Sequence, residues 1–419
     1  MFASKFIINV TRRSSFSSTT KMVLRRSNNI KHVNYFGTTI DGETPPKTAI
    51  VMLNMGGPND LDETGPFLSN LFNDGEIIQL GPLQNYLGPW IAHRRTPKVR
   101  KQYDEIGGRS PIRIWTEKQG QGMVEILDKI SPETAPHKHY IMFRYAAPLT
   151  EETLLQMKAD GVTRAIAFSQ YPHWSCTTSG SSMNHLWREL KRLIMGDDFE
   201  WSLIDRWPLH DGFLNAVKKR ITIGLEQFDE SERDNVVIVF TAHSLPMRVV
   251  NRGDQYPQEV GATCQAVMEK LNYSNKYIMA WQSQVGPLPW LGPQTGEVIK
   301  GLAAQGHKKV LAVPIAFTSD HIETLYEIDI EYAEEAEEVG IQLKRAPSLN
   351  DEPLFIEAQA DLVYNHLKNG DVCSSQYGMN CAMCVNPTCR TIINPIGDYN
   401  RLRDTAKGLE TPRIVENLQ

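Results

Sequence analysis

Residues 235–246 read NVVIVFTAHSLP, and the fold turns on how that stretch is understood. Five consecutive apolar side chains, Val236 to Phe240, leave no polar face on an extended chain. A strand of that kind is buried on both sides, as in a parallel sheet covered by helices. It ends abruptly in His243, Ser244 and the turn-setting Pro246. Five further runs have the same form: TAIVMLN (48–54) before MGGP, HYIMFRY (139–145) before AAPLT, RAIAFSQ (164–170) before YPHWS, KYIMAWQ (276–282) leading into VGPLPWLGPQT, and KKVLAVPIA (308–316) before FTSDHIET. Helical patterns lie between them, such as EETLLQMKADG (151–161), with Gly161 as its C-terminal stop, and QEVGATCQAVMEKLN (258–272). Alternation of this kind predicts an α/β protein built from doubly wound parallel sheets.

The unusual polar side chains gather on one side of these runs. Asn54, Tyr171, His173, His243, Ser244, Asp320, His321 and Glu323 all follow the C-terminal end of a predicted strand. That edge is where open α/β sheets bind ligands. The Gly56–Gly57 turn in NMGGP has neither the GxGxxG nor the GK[ST] spacing, so it is read as a tight turn and not as a phosphate loop. AIVMLNMGGP and VVIVFTAHSLP play the same strand-then-loop part, although no strict repeat is visible.

The chain has 419 residues, 41% hydrophobic and 22% charged, with a formal net charge of -5. That balance argues against a nucleic-acid binder, which carries a basic face. No apolar run is long enough for a membrane-spanning helix. Residues 1–46 differ from the rest. They hold Lys5, Arg12, Arg13, Lys21, Arg25, Arg26 and Lys31, with no acid before Asp41 and no continuous apolar segment. Such a leader reads as a mitochondrial transit peptide, the alternative being a basic tail. Residues 47–230 then form a first α/β domain and 231–350 a second, with GLEQFDESERDN as the hinge between them. A C-terminal helix with a cysteine-bearing segment and polar tail occupies 351–419.

His243 is a candidate proton acceptor at a cleft edge, since imidazole titrates nearest neutral pH; the plainer reading is a hydrogen-bonded loop histidine. In SDHIETLYEIDIEY, Ser319 or Asp320 is expected to cap a helix with His321 and Glu323 in its first turn. Glu323, Glu327 and Glu331 then recur every four residues as a carboxylate stripe, able to guide a cation or relay protons, or simply to face solvent. Trp90, Trp115, Trp174, Trp207, Trp281 and Trp290 fall near the same class of loop, as walls for a large flat ligand. The segment 67–95, FLSNLFNDGEIIQLGPLQNYLGPWIAHRR, reads as an apolar flap whose Gly and Pro residues interrupt any long helix. It ends in Arg94 and Arg95, suited to carboxylates. Near the other end, Cys373, Cys381, Cys384 and Cys389 have the spacing of a four-thiolate set, which by itself favours structural zinc over a disulfide.

Ten motifs in order, MLNMGGP, RRTPK, IGGRSPI, FRYAAPLTEE, QYPHWSCTTSGSS, IDRWP, AHSLPMRVVNRGDQYPQEV, WQSQVGPLPWLGPQT, IAFTSDHIETLYEIDIEY and CAMCVNPTC, resemble the ferrochelatase family in its animal mitochondrial form. The resemblance runs from about residue 47 to about 390. It implies two similar Rossmann-like units with the active cleft between them and a C-terminal cluster-binding extension. It also implies insertion of ferrous iron into protoporphyrin IX, a homodimer, and peripheral attachment to the matrix side of the mitochondrial inner membrane. Two pyrrole protons must leave as iron enters, and the macrocycle needs an apolar slot. By this resemblance His243 accepts protons, with Glu323 and His321 assisting, and Asp320, Glu327 and Glu331 form a path for protons or metal. Met55, Tyr171 and Arg144 line the opposite wall, and Arg95, Tyr103 and Ser110 bind the porphyrin. His210 and Asp361 have catalytic roles in the family but follow no predicted strand end here. Leu209 and Asp211 beside His210, and Gly75 and Gly81 in the flap, depart from the family pattern. For the cysteines the resemblance implies a [2Fe–2S] cluster on Cys176, Cys381, Cys384 and Cys389, with Cys373 left out. A porphyrin or haem carrier without catalysis, and a metal-binding interaction module, are the competing classes.

Overall fold

The computed structural model describes residues 47–78, 80–374 and 383. Its first half runs β1 (Thr48–Asn54), α1 (Thr64–Asn73), α2 (Gln84–Glu105), α3 (Ile112–Ile130), β2 (His137–Phe143), α4 (Thr150–Ala159), β3 (Arg164–Ser169), α5 (Ser181–Arg192), β4 (Glu200–Ile204) and α6 (Asp211–Leu225). The second half runs β5 (Val237–His243), α7 (Met247–Val250), α8 (Tyr256–Lys270), β6 (Tyr277–Gln282), α9 (Thr295–Ala304), β7 (Lys309–Pro314), α10 (Ile322–Leu325), α11 (Ala333–Glu338), β8 (Gln342–Arg345) and α12 (Pro353–Asn369).

The strands form two parallel four-stranded sheets, ordered β2-β1-β3-β4 and β6-β5-β7-β8. The order is the same in both, so β1 and β5, the two runs noted above as alike, occupy equivalent central places. The doubly wound expectation is met twice.

Strand periodicity divides the core. In β1, Ile50 and Met52 face one cluster while Ala49, Val51 and Leu53 face another. In β5, Ile238 and Phe240 join that same first cluster, and Val237 and Val239 turn to a third. One apolar layer, carrying residues of α3, α6, α8 and α12, is therefore shared by both sheets. α12 closes the chain back onto the first half, packing on α3 and α6. Its start is set by Pro353 in the first turn and by Glu352, and its end by Gly370 at φ 67.

Four expectations change. β4 and β8 were not foreseen, since EWSLI and QLKR are short edge strands with partly solvated side chains. Proline does not break the helix that ends the flap: α2 runs 22 residues through Pro89 and, just beyond the flap, Pro97. Both prolines are exposed, as are Asn85 and His93 four residues before them, so the carbonyls they free can take water. The cap of α10 is His321, one residue later than expected, with its N–H donating to Thr324 Oγ1 at 3.1 Å. Trp174, Trp207 and Trp281 are core residues at 3%, 0% and 2% exposure and cannot serve as ligand walls. Trp207 packs against Phe168, Phe213 and Phe355 and donates to the Ser169 carbonyl at 2.9 Å.

Candidate functional site

In each sheet the strand order reverses between its central strand and the next, β1 and β3 in one and β5 and β7 in the other. Crevices form at such reversals. Met55, Tyr171, His243, Asp320, His321 and Glu323 lie at or just after the ends of these four strands, while Arg95, Tyr103, Ser110, Arg144, His210 and Asp361 come from elsewhere.

After β1, Met55 N–H reaches both Asn54 Oδ1 (2.6 Å) and Tyr171 Oη (2.7 Å), while Tyr171 Oη donates to Asn54 Oδ1 at 3.0 Å. Met55 and Tyr171 are thus held together as one wall. Gly57 is required here, because a Cβ at that position would stand 2.6 Å from the Ser110 side chain. Ser110 is buried against this loop, with its N–H on the Pro58 carbonyl at 2.8 Å.

On the other side, His243 ends β5 with Nδ1 2.7 Å from the Ser244 carbonyl oxygen. A carbonyl only accepts, so Nδ1 carries the hydrogen and Nε2 keeps its lone pair in the neutral ring. The Trp290 ring lies 6.3 Å from the His243 ring. Its loop is fastened by Ser244 Oγ to the Leu291 carbonyl (2.7 Å) and Met247 N–H to the Pro289 carbonyl (2.9 Å).

His321 and Glu323 stand at the start of α10. Their Nδ1 and Oε2 atoms are 3.6 Å apart, and Phe317 packs edge-on against the imidazole at 4.5 Å. Burial first, and the negative charge of Glu323 with it, push the phenols of both Tyr103 and Tyr171 upward. Gln282 joins the two catalytic candidates. Its carbonyl accepts from Ser244 N–H at 2.8 Å, and its side chain donates to the Glu323 carbonyl at 2.9 Å.

The carboxylate stripe is not regular. Residues Glu327–Tyr332 form a π-turn, in which wider winding rotates successive side chains away from α-helical register. Glu327 turns inward and accepts from Gln282 Nε2 (3.0 Å), Ser283 N–H (2.7 Å), Ser283 Oγ (2.5 Å) and Tyr332 Oη (3.0 Å). Glu331 is exposed at the surface, its carboxyl pushed up by partial burial and by Glu327. Asp320 is equally engaged. Burial raises its carboxyl, but Arg345, Ser348, Asn350 and Thr324 outweigh that and hold it below the ordinary range.

On the flap, Tyr103 is buried among Leu68, Phe72, Ala92 and Val99, with Ile322 packed against the group. Arg95 lies over the Phe72 ring at 5.5 Å, and burial lowers its affinity for its proton. Arg144 is tied to the flap root by Asp74, whose Oδ2 accepts from Arg144 and from Tyr145 Oη at 2.6 Å each. His210 and Asp361 form their own pair, 2.9 Å apart, between the start of α6 and the middle of α12. Sequence reasoning missed Gln282 and Ser283. Only Gln282 gave a signal, as a polar residue ending an apolar strand.

Cys176 is half-buried, with its N–H donating to Asp254 Oδ2 at 2.8 Å. Cys381, Cys384 and Cys389 lie outside the described residues. Met383, between the first two of them, donates its N–H to the Arg252 carbonyl at 3.0 Å. Cys373 is buried at 3% in the core beneath the first sheet, and Cys264 at 2% in the shared layer. Among the described residues no helix is long and apolar enough to cross a membrane.

Near the strand ends the chain thus carries an imidazole with a free lone pair (His243), a His321–Glu323 pair and a buried phenol (Tyr171). Imidazole and carboxylate side chains of this kind can take protons from a ligand and present a cation to it. Comparison with known proteins identifies the family. Residues 47–367 match the family model described as Ferrochelatase. A protein named mitochondrial ferrochelatase from Bos taurus is 56% identical over 351 residues, covering 83% of this chain and 84% of that one. Its namesake from Homo sapiens is 56% identical over 347 residues, 82% of each chain. The one from Schizosaccharomyces pombe is 50% identical over 397 residues, 94% of this chain and 92% of its own.

Proposed function

Because the chain belongs to the ferrochelatase family and catalyses the terminal step of haem biosynthesis, we propose how its residues divide that work. The reaction joins ferrous iron and protoporphyrin IX and releases two pyrrole protons. His243 takes these protons through Nε2. The observation that carries this reading is the 2.7 Å contact between His243 Nδ1 and the Ser244 carbonyl, which leaves Nε2 as the acceptor. Glu323 and His321, 3.6 Å apart, assist by passing on protons or presenting iron, a metal content with imidazole and carboxylate ligands. Asp320, Glu327 and Glu331 continue that path outward. Glu331, which holds a proton more readily than an ordinary glutamate, suits the last position.

Met55, Tyr171 and Arg144 form the wall opposite, and Arg95, Tyr103 and Ser110 hold the porphyrin. Support comes from Ile322, the neighbour of Glu323, which packs against the Tyr103 cluster, and from the charge of Glu323 acting on both Tyr103 and Tyr171. His210 and Asp361 act as a pair of their own, 2.9 Å apart, with a supporting part only.

The donor chemistry of the cysteines fits a [2Fe–2S] cluster held by Cys176, Cys381, Cys384 and Cys389. Two contacts support this: Cys176 is fastened to Asp254, and Met383 to Arg252, two residues away. Bound there, the cluster would supply a redox-active tie between the first half and the C-terminal segment.

A homodimer on the matrix face of the mitochondrial inner membrane completes the proposal. The family resemblance supports it. So do exposed apolar side chains on the flap (Leu83, Tyr86 and Trp90) and on the 285–288 loop (Val285 and Leu288), which suit an interfacial contact.

The test is anaerobic haem formation from Fe²⁺ and protoporphyrin IX by the wild type and by His243→Ala. The variant should lose turnover by about 100-fold or more while binding porphyrin as before. Wild-type turnover in the variant removes His243 from this role.

A further inference from the structure

Gln119 and Thr318 have no part in the roles above, yet together they join the two halves of the molecule at the cleft. Gln119 lies within α3, in the first half, and is 1% exposed. Its side-chain amide donates to two backbone carbonyls of the second half, Asn350 at 2.8 Å and Thr318 at 3.1 Å. Carbonyl oxygens only accept, so Nε2 must be the atom that faces them.

From these two carbonyls the connection divides. The Thr318 hydroxyl donates to the Gln170 carbonyl at 3.3 Å, and Gln170 immediately precedes Tyr171. Asn350 grips Asp320 from both sides: Asp320 N–H donates to its Oδ1 at 2.8 Å, and its Nδ2 donates to Asp320 Oδ2 at 2.7 Å. Asn350 holds this grip from a left-handed backbone conformation, at φ 44. Asp320 immediately precedes His321. One buried amide is thus two bonds from the Tyr171 wall and two bonds from the loop that carries His321 and Glu323.

We infer that Gln119 and Thr318 are positioning residues for metal insertion, setting the separation between the Tyr171–Met55 wall and the His321–Glu323 loop. The inference rests on the part proposed for His321 and Glu323. A porphyrin held over a broad apolar area tolerates a small change in that separation. Delivery of a metal ion between fixed donors does not, since a displacement of about 1 Å costs on the order of 100-fold in rate. The bridge therefore acts on the metal step and on the choice between metals, and not on porphyrin affinity.

Thr318→Val and Gln119→Met keep shape while deleting the donors, and Thr318→Ser keeps the hydroxyl as a rescue control. The measurements are porphyrin Kd by fluorescence quenching, kcat and KM for Fe²⁺, the ratio of Fe²⁺ to Zn²⁺ insertion, and thermal unfolding. The expected result is a fall in kcat/KM for Fe²⁺ of about 10- to 100-fold with an altered Fe²⁺/Zn²⁺ ratio. Porphyrin Kd should hold, and Thr318→Ser should behave as wild type. Adding Thr318→Val to Glu323→Gln should cost no more than Glu323→Gln alone. An unchanged metal ratio in a folded Thr318→Val protein overturns the inference, as does a loss of porphyrin affinity in step with thermal stability. If Glu323→Gln and His321→Ala retain full activity, the role of those two residues fails; an altered metal ratio in Thr318→Val would still uphold the bridge.

Discussion

The Nδ1 atom of His243 lies 2.7 Å from the carbonyl oxygen of its own neighbour, Ser244. That carbonyl is not free to swing away. Ser244 N–H is fixed to the Gln282 carbonyl at 2.8 Å, and Ser244 Oγ to the Leu291 carbonyl at 2.7 Å. The backbone therefore chooses the tautomer and the ring plane of the candidate base before any ligand arrives. Once protonated, the imidazolium keeps the same carbonyl bond and has only Nε2–H to give back. Proton uptake and release at this residue thus share one atom.

Glu327 makes a prediction about stability. Four donors converge on its carboxylate, and Glu327→Gln turns an amide N–H₂ against some of them. Leaving buried donors unpaired costs about 1–3 kcal/mol. Urea unfolding should register that loss. If Glu327 also lies on the proton or metal path, kcat should fall further than in a variant of equal stability altered elsewhere; equal activity in the two would reduce Glu327 to a structural tie.

The cysteines separate by environment. Burial first, then Asp205 and Asp371, push the Cys373 thiol up to about 12, which disfavours the thiolate a metal needs. Cys176→Ser should abolish the visible absorption of an iron–sulfur cluster, and Cys373→Ser should spare it. The opposite pattern would restore a ligand set confined to the C-terminal segment, with the spacing of a zinc site.

Acid should destabilise the fold through two buried histidines. Burial pushes His173 down to about 3 and His366 down to about 4. The unfolded chain binds these protons near pH 6.5, so their contribution is complete above that value and is lost as pH falls toward 4. Each adds a slope of about 1.4 kcal/mol per pH unit in that window. Glu259, pushed up to about 7 by burial, runs the other way and loses its contribution as pH rises from about 4.5 through 7. His173→Gln should flatten the acid limb of a stability profile measured by urea unfolding. An unaltered slope would mean that His173 is protonated in the folded state.

Much of this was legible in the residues. Both central strands and their loops could be read because Val51 and Val239 belong to runs with no polar face, ending in residues that no core would keep. His243, Glu323 and Tyr171 stood out for that reason. β4 and β8 did not, because an edge strand such as QLKR shows little apolar pattern. The α2 helix hid behind Pro89 and Pro97, whose effect depends on which face meets water. The π-turn that separates Glu327 from Glu331 has no composition of its own. Gln119 was silent too, since a glutamine inside a helix looks like any solvated one until Thr318 and Asn350 are seen beside it.

The central claim is that His243 acts as a proton acceptor and not as a wall of the cleft. Chemical rescue tests it most directly. His243→Ala opens a space the size of the lost ring, and free imidazole added to the variant supplies the missing base. Haem formation, followed anaerobically with Fe²⁺ and protoporphyrin IX, should recover in part and saturably, and the recovery should follow the unprotonated fraction of added imidazole as pH is varied. A folded variant that binds porphyrin, gains nothing from imidazole at any pH, or already turns over like the wild type would contradict the account.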